Sequence, residues 1–153
     1  MTSRRARTGQ RERILSFPLQ LSGAVLTYPF GDDVTVYKVG VATASGVGGR
    51  HANGKMFAIL GSDGDPGMIT LKADPEHAIA LVAEHAAITP GYHTNKRHWI
   101  SVTLDGSVPD DLIRELIEDA YDLVLSTLPA RVRFDVDPDR FPLPGKHRPG
   151  PAA

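Results

Sequence analysis

The sequence predicts an α+β fold, a four-stranded antiparallel sheet with helices packed on one face. Three observations carry this. Four short segments rich in β-branched and aromatic residues are each bounded by turn residues. Two longer segments repeat apolar residues at helical spacing. The link "SDGDP" between the second and third strands is short enough only for a hairpin, which makes those strands antiparallel neighbours. With 153 residues, 41% of them hydrophobic, the chain forms one domain with enough apolar side chains for a core.

The chain opens with Arg4, Arg5, Arg7, Arg11 and Arg13 against Glu12, a net charge of +4 over residues 1–13. Residues 1–9 read as a disordered basic tail, and a helix is expected over Gln10–Leu21. Pro18 lacks an N–H and disfavours helical backbone before it, so that helix should break at or before Phe17. Strands follow at Val34–Val39, Lys55–Leu60, Gly67–Lys72 and His98–Leu104.

Between the first two strands, Gly40–Gly54 holds five glycines and no large apolar residue other than valine, so it reads as a flexible hairpin extension. It is not a phosphate loop, because no Gly-Lys-Ser/Thr ends it and a strand, not a helix, comes next. A helix begins at Asp74, whose carboxylate can cap it, with Pro75 at its first position, where the missing N–H costs nothing. A second spans Pro109–Leu128, with Leu112, Ile113, Leu116, Ile117, Ala120, Leu123, Val124 and Leu128 on one stripe and acids opposite. Asp110 and Asp111 in its first turn suit the helix dipole. Residues 10–141 form the domain, and the proline- and glycine-rich residues 142–153 form a tail.

Composition excludes several functions. With no cysteine there is no disulfide, thiol nucleophile or thiolate metal site. No apolar run reaches the roughly 20 residues of a membrane helix. The start resembles a secretory signal only faintly, since Pro18 and Gln20 interrupt it, so a cytoplasmic protein is expected. Residues 14–128 carry seven Lys and Arg against fourteen Asp and Glu, which argues against a broadly basic nucleic-acid surface.

The richest segment is "ITPGYHTNKRHWISVTL". Of the six histidines only His93 and His98 lie close in sequence, and no carboxylate motif supports them, so no metal site is expected. Tyr92, His93, Lys96 and His98 titrate, but no nucleophile or paired carboxylates accompany them, so no catalytic residue and no cofactor is assigned. Ser101 and Thr103 read as the exposed face of a strand.

Binding is better supported. Five of the seven body cations, Lys38, Lys55, Lys72, Lys96 and Arg97, lie within strands or at their ends, whereas seven acids gather between Asp105 and Asp122. Lys38 shares a strand face with Val34 and Val36, and Lys72 with Met68 and Thr70, which places the cations near the sheet's rim or open face, not along one continuous stripe. Tyr92 and Trp99 offer aromatic rings for stacking bases, and Asn95 can shape the turn that presents Lys96 and Arg97. The same segment also reads as a plain structural turn, with Pro90 and Gly91 at its centre and Trp99 covering the sheet.

The blocks "YPFGDDVTVYKV", "GKMFAIL", "ITLKADPEHA", "ITPGYHTNKRHWISV" and "LIEDAYDLVLSTLP" together resemble the MmcQ/YjbR family, in the family's order and over roughly Gln10 to Phe141. The resemblance implies a CyaY/frataxin-like fold and DNA binding by a double-wing arrangement, with no catalytic residues. Three features depart from the family: the Gly40–Asn53 insertion, Ala120 where a serine commonly precedes the tyrosine, and Pro18 inside the first helix. Together these readings describe a non-enzymatic binding protein that contacts DNA weakly through Lys38, Lys55, Lys72, Tyr92, Asn95, Lys96, Arg97 and Trp99 and its Arg-rich start. The alternative is an adaptor that takes a protein partner or small ligand on the sheet's open face.

Overall fold

In the computed structural model, residues 2–29, 31, 34–40, 54–61, 67–91 and 94–143 are described, with side chains from Gly9 onward. The elements are α1 (Thr2–Leu15), a 3-10 turn (Pro18–Gln20), β1 (Val25–Thr27), β2 (Val34–Val39), β3 (Lys55–Gly61), β4 (Met68–Lys72), α2 (Pro75–Glu84), β5 (Ile88–Pro90), β6 (Trp99–Thr103), α3 (Asp110–Leu125) and α4 (Ala130–Val136).

Among the described residues the sheet has six strands in the order β1-β2-β3-β4-β6-β5, all antiparallel. The four expected strands form its middle. The two extra ones, three residues each, pair along the outer edges of β2 and β6. Three residues are too few to show a period, and only the neighbour's open ladder makes them strands. Pro90 is tolerated because β5 is an edge, where one missing donor faces outward.

The expected helix at Gln10 instead begins at Thr2 and stops at Leu15. Pro18 then leads the 3-10 turn, and its ring explains why the helix does not continue. α2 starts as its residues dictate, with Asp74 accepting hydrogen bonds from the Glu76 and His77 N–H groups. α3 ends at Leu125, three residues early, and α4 adds a short helix the apolar pattern did not mark.

One face of the sheet makes the core. Tyr37, Ala58, Leu60, Ile69, Leu71, Ile100 and Val102 join Ile113, Leu116, Ile117, Ala120, Tyr121 and Val124 of α3. Ile14 of α1, Leu81 of α2 and Val132 of α4 enter the same cluster, so all four helices pack on this side. Each valine, leucine and isoleucine among them contributes about 1.5–3 kcal/mol by leaving water. A break in register at Tyr37/Lys38 leaves Phe57 as an extra residue between Ala58 and Met56. Phe57 therefore also turns inward, edge-on to Tyr121 with centroids 5.5 Å apart.

The other face is less open than expected. Val36, Thr70, Ser101 and Trp99 alternate with the core positions yet are buried as well. Ser101, read from sequence as exposed, is 1% exposed and shares a 2.7 Å hydrogen bond with Thr70 across the β4–β6 ladder. Thr27, Lys38, Met56, Ile59, Lys72 and Thr103 on the same face stay half-buried.

Candidate nucleic-acid interface at one end of the sheet

The strand register decides which cations meet. Lys38 pairs with Val25 on one side and Met56 on the other, and Lys72 pairs with Trp99. Their neighbours Tyr37, Leu71 and Ile100 face the helices, so alternation turns Lys38, Lys72 and Trp99 to the opposite face. Lys38 and Lys72 thus stand in one row, two strands apart, with backbones separated by about 10 Å. Alternation from sequence could place each lysine on a face of its own strand, but not the two strands in register.

Among the described residues no strand position on this face carries a carboxylate: its other side chains include Thr27, Val36, Met56, Ile59, Thr70 and Thr103. The acids Asp111, Glu115, Glu118, Asp119 and Asp122 lie exposed on α3, on the helix side of the sheet, where Asp119 and Asp122 border the same cavity as Lys72. The fold separates charge that the net value of −1 conceals.

Lys55 does not join the row. It pairs with Val39, a core residue, and its ammonium donates to Thr127 Oγ1 at 3.2 Å beyond the end of α3. The contact expected of Lys55 therefore falls on the helix side.

The β5–β6 turn emerges at the same end of the sheet as Lys38 and Lys72. Its hydrogen bonds are mostly internal: Gly91 N–H donates to Trp99 O at 2.8 Å, and Lys96 Nζ to Gly91 O at 3.0 Å. Asn95 Oδ1 accepts from the Arg97 N–H at 2.9 Å, the turn-shaping role its residue type implies. Lys96, Arg97 and Asn95 are exposed, and among the described residues the Arg97 guanidinium has no partner. Tyr92 and His93 lie outside the described residues, as does the Gly40–Asn53 insertion beyond Gly40.

Trp99 is 7% exposed, with Lys72 Nζ 5.4 Å from its ring centroid. A ring so enclosed cannot stack on a base, so its contribution is packing plus a cation–π contact. The Arg-rich start is also partly committed. Arg11 donates to Gly61 O at 3.4 Å, and Arg13 pairs with Asp110 through two hydrogen bonds. Both dock α1 on the body, a role the sequence reading did not give them and for which only the tertiary contact is a signal.

Beside this end a cavity of about 390 Å³ opens between α2 and α3, lined by Lys72, Asp74, His77, Leu116, Asp119 and Asp122 among others. Two of its acids are already engaged, Asp74 as the α2 cap and Asp122 with Arg140 at 3.0 Å. Among the described residues no three His, Asp or Glu side chains come together as a metal-holding group. No described helix is long and apolar enough to cross a membrane.

Residues 19–123 match the model of the YjbR family, a span that includes the whole sheet and most of α3. The Escherichia coli O157:H7 protein YbdF is 33% identical over 120 residues, 78% of this chain and 88% of that one. Escherichia coli K12 YjbR is 36% identical over 78 residues, 51% of this chain and 66% of its own. A crystal structure of a Deinococcus radiodurans protein with the domain DUF419 superposes with a TM-score of 0.70 at 35% identity, covering 82% of this chain and 86% of that one.

Proposed function

This chain belongs to the YjbR family, and from that premise we propose that it is a non-enzymatic binding protein that contacts DNA weakly through the basic end of its sheet. The observation that supports this reading best is the row of Lys38 and Lys72 on a face with no strand carboxylate among the described residues, at the end where Lys96 and Arg97 project. Lysine and arginine neutralise phosphates, and the acids of α3 on the far side orient the molecule with this end toward a polyanion. β2 ends and β6 begins at this same end of the sheet, the end where a double-wing arrangement on a CyaY-like fold would have its wing tips. A DNA partner carries with it a cytoplasmic location.

Trp99, being enclosed, supplies no base contact, so this reading rests on contacts to phosphates. The test is fluorescence anisotropy with a labelled duplex over roughly 50–200 mM salt, comparing the wild type with Lys38→Ala/Lys72→Ala. Loss of two phosphate contacts makes the slope of log affinity against log salt shallower by about two units, with the fold unchanged. A slope identical to that of the wild type would remove these lysines from the interface.

A further inference from the structure

A second surface is not explained by phosphate contacts. α2 buries Ala78 and Leu81 in the core, yet Pro75, Ile79, Val82 and Ala83 form another apolar stripe at i, i+4, i+7 and i+8. Ile79 is 72% exposed, the most exposed large apolar side chain among the described residues. The stripe is one wall of a groove of about 340 Å³ between α2 and the β5–β6 turn, closed by Pro90 and Ile100. Lys96 and Arg97 complete its lining.

We infer that this groove docks a short acidic peptide segment of a partner protein, with apolar side chains against Ile79 and Val82 and carboxylates on Lys96 and Arg97. The apolar wall runs about 12 Å along α2, the length of two helical turns or three to four extended residues. The cations fix the sign of the partner. Arg97 offers a guanidinium fork with no partner among the described residues, and Lys96 spends one of its three donors on Gly91 O. A nucleic acid backbone supplies the anion but nothing aliphatic to cover Ile79, whereas an acidic segment with leucine or phenylalanine supplies both. The inference stands apart from the DNA reading, which rests on Lys38 and Lys72; the two share only Lys96 and Arg97.

The test uses the full chain and a fluorescein-labelled peptide, Glu-Asp-Leu-Phe-Glu-Asp-Leu. The expected result is saturable binding that perturbs the amide resonances of Pro75's neighbours through Ala83 and of Lys96 and Arg97. Ile79→Ser, a substitution at a solvent-exposed site, weakens it about tenfold and leaves duplex affinity within about twofold. Lys38→Ala/Lys72→Ala does the reverse. Binding unaffected by Ile79→Ser overturns the inference, and so does equal binding of the peptide with serine in place of leucine and phenylalanine, which would reduce it to charge attraction. A concentration-dependent dimer abolished by Ile79→Ser would overturn it too, since the groove's occupant would then be a second copy of the chain.

Discussion

Gln10 and Asp110 stand one hundred residues apart in the chain and 3.0 Å apart in the structure, joined by a hydrogen bond from Gln10 Nε2 to Asp110 Oδ1. The same amide donates to Val108 O at 2.8 Å, and its oxygen accepts the Gly106 N–H at 2.9 Å. One buried side chain thereby ties α1 to the connection that leads from β6 into α3. Replacing it with alanine strands a carbonyl and an N–H that water reaches poorly, at a cost of about 1–3 kcal/mol. Urea denaturation of Gln10→Ala measures this, and an unchanged midpoint would show that α1 is not held there.

Asp110 also makes stability depend on pH. The Arg13 hydrogen bond holds its carboxyl below the ordinary aspartate range, burial opposes that, and Gln10 reinforces it. A depressed folded pKa means a contribution that is complete above the unfolded value of about 3.9 and is lost as pH falls through the folded one. Asp110→Asn is therefore expected to be less stable than the wild type at neutral pH, with the difference vanishing in acid. A difference that stays constant from pH 7 down to 2 would contradict the linkage.

Tyrosine hydroxyls control the alkaline side. Tyr37 and Tyr121 donate to Leu15 O and Ser22 O, each at 2.6 Å, clamping the chain on both sides of Pro18. Burial pushes both pKa values up to about 12. A raised folded pKa means stability fully present below the unfolded value of about 10 and lost as pH rises through 12. Tyr37→Phe should cost about 1 kcal/mol at neutral pH and flatten the decline above pH 10. Thermal melts at pH 8 and 11 separate the two effects.

Trp99 is predicted to matter for stability rather than for nucleic-acid affinity. Trp99→Ala opens a cavity beneath Lys72 and costs about 3–5 kcal/mol. Single-strand affinity, measured where the variant is still folded, should be unaffected; a stacking ring would cost about 1–3 kcal/mol there.

Gly91 is irreplaceable by geometry. A Cβ at this position would collide with Thr94 Oγ1 and lie 2.6 Å from Trp99 Cβ. Gly91→Ala should destabilise by at least the 1–3 kcal/mol or so of an overpacked core. A folded variant with wild-type melting temperature would mean that the turn readily relaxes.

Lys96→Ala with Arg97→Ala tests the turn's share of the DNA interface. Lys96 keeps two donors and its charge beside the bond to Gly91 O, and the Arg97 guanidinium is unpaired among the described residues, so the salt slope should become shallower by about two units.

The sequence determined by itself the features that rest on neighbours in the chain. The Asp74–Pro75 start of α2, the stop imposed by Pro18, the apolar stripe of α3 and the Asn95 turn all follow from residues within one helical turn of each other. The four central strands were legible for the same reason, and the family resemblance was carried by the blocks that contain them. Only the tertiary structure decided what depends on pairing across the chain. β1 and β5 are strands because β2 and β6 offer them edges. Lys38 and Lys72 form a row because of ladder register, while the bulge beside Phe57 accompanies the turn of Lys55 to the helix side. Gln10, Arg11 and Arg13 became structural because a distant backbone or carboxylate lay within reach. Periodicity specifies which face a residue takes on its own strand, but register across strands is set by packing of the whole core, and no local pattern encodes it.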